Sequence, residues 1–547
     1  MKTLASVADI LGDSDVRFPF NSCSIASKKW NQVMASPEPK PKKISAFAEL
    51  GLQQSVDLLK KEIQGLYRAD NTPWIIGYSG GKDSTATLQL VWLALQDLPE
   101  AERHKTVHVI CTDTLVENPV VAIWVMTSLG RMSDQATKKN LPVEIHRLMP
   151  NTHETFWVNL LGKGYPSPRQ QFRWCTERLK IRPSNRFINE MVRLHGEAIL
   201  LLGARSAESA ARAARLNTYR SSRGELLTQN ATLPNCHVYT PIKDWSNDDV
   251  WQFLMMIPNP WEHSNKALMS MYAGATTGGE CPIVVDTSTP SCGSSRFGCW
   301  VCTLVEEDKS MAAMVHNDED LEWLRPLLAF RNEIDPRERN TDGKGFRMRD
   351  GRLRDFRRMT GSVMLNRDNS GDHIPGPLKQ GVRENWLRQL LHAQNEMRKR
   401  APQAIKDIDI ITLDELEEIR RIWVMEKHEL EDTLPGIYEQ VTGVSYPGRR
   451  LDDNLVLGQQ EMVELQSLCE GDRLHYELIR ELLSLERQQR TQGRRSGLYT
   501  RVERAFQKHF YENEDDAVKY ARARAAARDA GKKEPFGHVA EAEEVLP

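Results

Sequence analysis

With 547 residues the chain is long enough for two or three domains and at least one large core. Its 73 basic and 75 acidic residues nearly cancel, so net charge points to no class of partner, and any nucleic-acid contact has to come from local patches. No run of about 18 apolar residues occurs, which excludes a helical membrane span. Nine cysteines, and no basic start followed by an apolar stretch in residues 1–20, point to reduced thiols or metal ligands in a cytoplasmic protein without a signal peptide.

Residues 1–45 read as an extended N-terminal arm, because the stretch 37–43 is too rich in proline for a regular element. Cys23, within it, reads as a surface thiol. A helix is predicted over 46–67, with Leu50, Val56, Leu59, Ile63 and Leu66 near one face. After Pro73 comes a short apolar run, Trp74-Ile-Ile-Gly77, which reads as a buried strand. Leu88, Val91, Trp92 and Leu95 then recur at helical spacing.

Between strand and helix lies Ser79-Gly80-Gly81-Lys82-Asp83-Ser84. Glycines let the backbone turn so that several N–H groups and the helix N-terminus face one anion. Lys82 adds a point charge, and Ser79, Ser84 and Thr85 add hydroxyls, making a phosphate cradle. It differs from GxxxxGK[ST], whose first glycine would fall at Ile76 and whose hydroxyl place is taken by Asp83.

Further strands are predicted over 106–112, 143–148 and 198–203, each separated from the next by a helical segment. That alternation predicts an α/β fold with a mostly parallel sheet and helices on both faces. Ligands then sit beyond the carboxyl ends of the strands. There the chain carries Asp113, after the second strand, and Arg205, Glu208, Ser209 and Arg212, after the fourth. Cys111 lies in an apolar run and reads as core. Ser246 with Asp249 has the spacing of a capping box and starts a helix through Leu254 and Met255.

The strongest metal signal is Cys281, Cys292, Cys299 and Cys302, four of the nine cysteines in a short stretch with Gly293 and Gly298. Thiolates at this density suit tetrahedral zinc or an iron–sulfur cluster. Zinc usually takes two CxxC pairs; the single pair here favours a [4Fe–4S] cluster. Cys175, in the basic segment 171–183, reads equally as a ligand, a sulfur carrier or a core thiol.

From about residue 311 the chain turns to long charged helical segments, including 412–425, 474–490 and 517–530. Basic residues are dense over 325–358, with Phe346 and Phe356 interleaved, and again over 487–508. Such density suits a polyphosphate backbone. The expected organisation is an arm (1–45), a nucleotide-binding domain (46–260), a cysteine-rich subdomain (261–310) and a helical, basic C-terminal region (311–547).

The hexapeptide 79–84 resembles the PP-loop of ATP pyrophosphatases. The resemblance implies ATP cleavage between the α and β phosphates, with Lys82 and Asp83 in catalytic positions. The segment at Arg205 and Glu208 resembles the second motif of phosphosulfate-reductase relatives, in which the arginine contacts nucleotide phosphates. Cys175-Thr-Glu-Arg-Leu-Lys180 resembles their active-site Cys-Thr-x-x-x-Lys segment, and Asp244-Trp245 with its capped helix resembles the close of their nucleotide domain. Taken in order over residues 70–305, and above all at Phe297-Gly-Cys-Trp-Val-Cys302, these motifs resemble the DndC family, the sulfurtransferase component of bacterial DNA phosphorothioation.

What this resemblance implies is a concrete chemistry. ATP adenylates a DNA backbone phosphate, and sulfur held on the cluster or on Cys175 replaces a non-bridging oxygen. Mg2+ bridges the phosphates, with Asp83 and Asp113 as candidate ligands. DNA, a cysteine desulfurase as sulfur donor and the other Dnd proteins are the implied partners. A phosphosulfate reductase is the alternative enzyme, although Cys469 lies in Leu-Cys-Glu-Gly and not in Glu-Cys-Gly. A zinc-stabilised nucleotide sensor that binds DNA without catalysis is the alternative of another class.

Overall fold

The computed structural model describes residues 45–206, 226–275, 298–340, 346–366, 372–449, 451, 456–490 and 497–529. The chain divides into two compact units, and the division is not sequential. The first comprises Met1–Pro150, Arg173–Leu328 and Met397–Ile408; the second comprises Asn151–Phe172, Ala329–Glu396 and Asp409–Pro547.

The first unit is built on a sheet. In chain order its main elements are α1 (Gly51–Arg68), β1 (Trp74–Gly77), α2 (Lys82–Gln96), β2 (Val107–Thr112), α3 (Pro119–Lys138), β3 (Val143–Leu148), α4 (Arg182–His195), β4 (Ala198–Leu201), β5 (Thr228–Gln229), β6 (Cys236–Tyr239), α5 (Asn247–Met256), α6 (Asn265–Gly274) and α7 (Lys309–Asn317). The strand order is β3-β2-β1-β4-β6-β5, parallel throughout except for the short β5. The α/β architecture read from the alternation of elements is therefore the one observed. Succession runs outward from β1 through β2 to β3, then returns to β4 on the other side of β1. That reversal opens a crevice at the carboxyl end of β1, where open α/β sheets bind their ligands.

Core residues explain why these strands form. Trp74, Ile75 and Ile76 are fully buried, as expected for a central strand covered on both faces. One face packs Ile75, Ile110 and Leu200 against Ile188 of α4, with Phe187, Met191 and Val192 at the margin. Buried polar groups are tied in: Gln89 donates to Ile257 O at 2.9 Å and accepts from Asn265 Nδ2 at 3.0 Å, joining α2 to the start of α6. The predicted start of the first helix at 46 moves to Gly51, since Ser45 and Ala46 bond the carboxylate of Asp249 instead. The capping box of Ser246 and Asp249 is present at the head of α5.

The second unit is mostly helical and contains α8 (Leu413–Arg421), α9 (Arg473–Arg490) and α10 (Leu498–His509), with an antiparallel hairpin of β7 (Arg337–Arg339) and β8 (Phe346–Met348). Residues 151–172 fall inside the stretch expected to be nucleotide-binding, yet they group with this unit. Two indoles account for it. Trp157 donates to Ile410 O at 2.7 Å, and Trp423 donates to Leu161 O at 2.8 Å, both buried. No helix among the described residues is long and apolar enough to cross a membrane.

Candidate active site

The chain leaves β1 through Tyr78 and Ser79 and turns at Gly80, whose φ is +72°. A Cβ there would come 2.4 Å from Val125 Cγ2, so both the backbone conformation and α3 behind it require glycine. Gly81 is the N-cap of α2 and supplies no side chain, which leaves the first turn of the helix as a site for an anion. Ser84 closes the loop on itself: its hydroxyl donates to Gly81 O at 3.0 Å and accepts from Ser79 N at 3.2 Å. Trp124 Nε1 donates to Gly80 O at 3.3 Å.

Charge is concentrated on the first turn. Lys82 Nζ lies 3.1 Å from Asp83 Oδ2 and 5.5 Å from the centre of the Tyr272 ring. The Tyr272 hydroxyl accepts from Lys82 N at 3.3 Å, and burial pushes its pKa up to about 12, so it remains a phenol. Asp83 Oδ1 accepts from Arg205 Nε at 2.6 Å, and the buried Arg205 also reaches Trp245 O at 3.4 Å. Gly203 makes this meeting possible. A Cβ at that position would stand 2.6 Å from Asp83 O, so the exit of β4 presses directly on the head of α2. Arg205 therefore braces Asp83 from within. Two cations against one carboxylate leave the first turn of α2 positive, as a polyphosphate requires.

The exit of β2 carries the second half of the site. Asp113 accepts from Leu115 N at 2.8 Å and from Arg147 Nε at 2.9 Å. The next residues reach the CxxC pair: Thr114 Oγ1 lies 3.4 Å from Cys299 Sγ, the backbones of Glu117 and Cys299 form an antiparallel bridge, and Trp300 N donates to Val116 O at 3.0 Å. Cys302 N donates to Cys299 O at 3.0 Å, folding the pair into one turn. Cys175 stands at the head of a π-helical turn, Thr176–Ile181, that runs into α4. Such turns re-aim side chains and are frequent at functional sites.

Electrostatics place Cys175 with the pair. Burial, and then the charges of Cys299 and Cys302, push its pKa up to about 11. Burial likewise raises that of Cys299, against the pull of Lys180. The ammonium of Lys180 is raised chiefly by Cys299, with Glu117, Cys175 and Cys302 adding to it. Burial lifts Glu117 to about 7. The three cysteines are half-buried thiols. The sequence thus separates Cys175 from the cysteine-rich stretch, and the fold joins them.

Cys281 and Cys292, and also Glu208, Ser209 and Arg212, lie outside the described residues. The sequence singles out Lys180 only as the lysine of the Cys175 segment, and does not single out Thr114, Glu117 or Tyr272 as site residues. For Thr114 and Glu117 the signal is position, since both follow a strand end.

The basic stretch 325–358 is not one surface. Arg331, Arg354 and Arg357 are buried. Arg331 pairs with Asp335, Arg354 donates to Gly376 O at 2.7 Å, and Arg357 pairs with Asp355 and Glu477. Arg347 and Arg352 are exposed but share Glu338. On α10, Tyr499, Arg501, Arg504 and Phe506 are exposed.

Residues 73–304 match the family model of the phosphoadenosine phosphosulfate reductase domain. An uncharacterised protein of Methanocaldococcus jannaschii is 28% identical over 199 residues, which are 36% of this chain and 35% of that protein; the likeness thus spans about a third of the relative. Among solved structures, phosphoadenylyl-sulfate reductase from Candida auris, as a phosphate complex, gives a TM-score of 0.23 at 14% identity, over 37% of this chain and 86% of that one. The U34-tRNA thiolase NcsA from Methanococcus maripaludis, with its [4Fe–4S] cluster, gives 0.25 at 13% identity, over 51% and 78%.

Proposed function

Taking residues 73–304 as a phosphoadenosine phosphosulfate reductase domain, we propose that the chain is an ATP-dependent sulfurtransferase that adenylates a DNA backbone phosphate and replaces a non-bridging oxygen with sulfur. The observation that carries this reading is convergence. Neighbouring strands deliver a phosphate loop, from β1, and a contact with the thiols, from β2, to the same end of one sheet. An enzyme that only cleaved ATP would have no use for the second, and one that only stored a metal would have no use for the first.

The chain's own residues supply most of the chemistry. Loop 79–84 and Lys82 hold the β and γ phosphates and stabilise charge on pyrophosphate as it leaves. The acceptor's oxygen attacks the α phosphorus, and the adenylated ester then loses AMP to a sulfur nucleophile. Cys175, Cys299 and Cys302, half-buried free thiols of the first unit, are donors of the kind a [4Fe–4S] centre takes. With Cys281 and Cys292, which lie outside the described residues, the sequence offers five candidate thiols for the four positions. When bound, such a cluster supplies a place to hold sulfide. Mg2+ would fit less well on protein carboxylates, since Asp83 and Asp113 each already carry a guanidinium. A cysteine desulfurase as donor and the other Dnd proteins as partners follow from the same reading.

Reduction of a phosphosulfate is the second reading, supported by the family match. Two measurements on anaerobically purified protein test the centre and the reaction in turn. Cys175→Ser should lose iron and sulfide along with the visible absorption, while ATP still yields pyrophosphate. Full iron in Cys175→Ser would return that residue to the role of carrier or core thiol. Release of sulfite from a phosphosulfate, with no pyrophosphate formed from ATP, would replace sulfur transfer by reduction.

A further inference from the structure

ATP and sulfur chemistry leave unused a group of side chains on the β2–β3 edge of the same sheet. His108 lies on β2; Glu144 and His146 lie on β3. The parallel register pairs His108 with Glu144 and Ile110 with His146, and alternation puts all three side chains on one face. His108 Nδ1 is 3.0 Å from His146 Nε2. Glu144 Oε2 is 3.5 Å from the first nitrogen and 3.6 Å from the second.

These separations have a direct reading. Zinc binds imidazole nitrogen and carboxylate oxygen at about 2.0–2.2 Å, so neighbouring ligand atoms of a tetrahedral site stand about 3.3 Å apart. The three distances observed here bracket that value. All three ligand atoms lie within 4.8 Å of one another. A hydrogen-bonded trio without a metal satisfies the pair of rings, yet it does not require the carboxylate to stand equidistant from both nitrogens.

We infer that His108, Glu144 and His146 form a binding site for a divalent transition-metal cation, zinc fitting best, with a fourth position for water. The surroundings suit a structural role. Phe187 of α4 packs on both rings, with centroids 5.8 Å and 4.7 Å away, and fixes their orientation. His108 is the buried ligand, and the Glu144 side chain, 60% exposed, is the one a cation meets first. β3 is the edge strand, and none of its six residues is fully buried. A metal held by β2 and β3 ties that edge where the core does not. His108 precedes Asp113 by five residues along β2, about 16 Å at the rise of a strand, and His146 points to the face opposite that of its neighbour Arg147, the partner of Asp113.

The test uses the anaerobically purified full chain with its thiol centre as isolated. Equilibrium dialysis against Zn2+ should load one more equivalent on the wild type than on His146→Gln, and Zn2+ should raise the Tm of the wild type only. Glu144→Gln should weaken that equivalent at least about tenfold, the lower end of what loss of a supporting group alone costs. Co2+ in the same place should give ligand-field bands without a thiolate charge-transfer band. Equal stoichiometry and equal Tm response in wild type and Glu144→Gln would overturn the site, and that variant, at an exposed position, decides even if His146→Gln does not fold. A charge-transfer band for the additional Co2+ would overturn it too, by assigning the ion to cysteine.

Discussion

At the residue scale, the head of α2 works because Arg205 and Lys82 play different parts around Asp83. Arg205, buried and bonded to Asp83 and Trp245, positions the carboxylate; Lys82, more exposed, is the cation that the proposed reaction assigns to a phosphate. Lys82→Ala should lower pyrophosphate release by about 10²–10³-fold, the usual cost of one preorganised donor to a charged transition state. A phosphate-release assay with pyrophosphatase checks it, and wild-type turnover would remove Lys82 from the site. The loop was legible in the sequence because glycines, lysine and hydroxyls occupy contiguous positions between a strand and a helix. Thr114 and Glu117 were not, since their roles depend on which strand end faces Cys299, a fact of topology with no local signature.

At the element scale, what the sequence announced was local chemistry. Ser246 and Asp249 close the capping box of α5, and Asp249 also accepts from Ala46 N at 3.1 Å and from the Ser45 hydroxyl. Ser246→Ala should therefore cost about 1 kcal/mol, an ordinary N-cap loss. Asp249→Ala should cost more, because it frees the segment at Ser45 as well; thermal melts of the two variants measure the order. Strand β6 shows the opposite case: Cys-His-Val-Tyr is too short and mixed to announce a strand, and pairing with β4 makes it one. In the second unit the basic residues were legible as charge but not as ion pairs. Burial works to raise the pKa of Asp355, yet hydrogen bonds from Arg357 and the charges of Arg357 and Arg473 hold it at about 2. Glu481 is held at about 2 in the same way, against burial, by His509 and Lys508. Both folded values lie below those of an unfolded chain, about 4. Their stabilisation is thus complete above about pH 4.5 and disappears as pH falls toward 2. Acid titration followed by circular dichroism should show this loss, and Glu481→Gln should flatten it while lowering stability at neutral pH.

At the scale of the whole molecule, the fold class was legible and the partition of the chain was not. Residues 151–172 lie between β3 and α4 in sequence, and long-range bonds such as those of Trp157, Trp423 and Ser167 assign them to the helical unit. The same lesson governs the expected DNA surface. Arg354 and Arg357, counted as basic density, are buried structural groups, and removing Arg354 should cost about 1–3 kcal/mol of stability by leaving the carbonyls it serves without a donor. Exposed charge stands instead on α10, where Arg501 and Arg504, about one turn apart, share a face. Tyr499 and Phe506 share another face, so duplex phosphates can be met without base stacking. If α10 meets DNA, each phosphate contact contributes about 0.9 to the slope of log affinity against log salt. Arg501→Ala with Arg504→Ala should then lower that slope by about 1.8, weaken binding to any duplex, and leave pyrophosphate release from ATP unchanged. Arg347→Ala with Arg352→Ala should change the slope less, because Glu338 already offsets that pair. Filter binding at several salt concentrations decides: an unchanged slope in the α10 variant, with a reduced one in the Glu338 pair, would move the DNA surface to the β7–β8 hairpin.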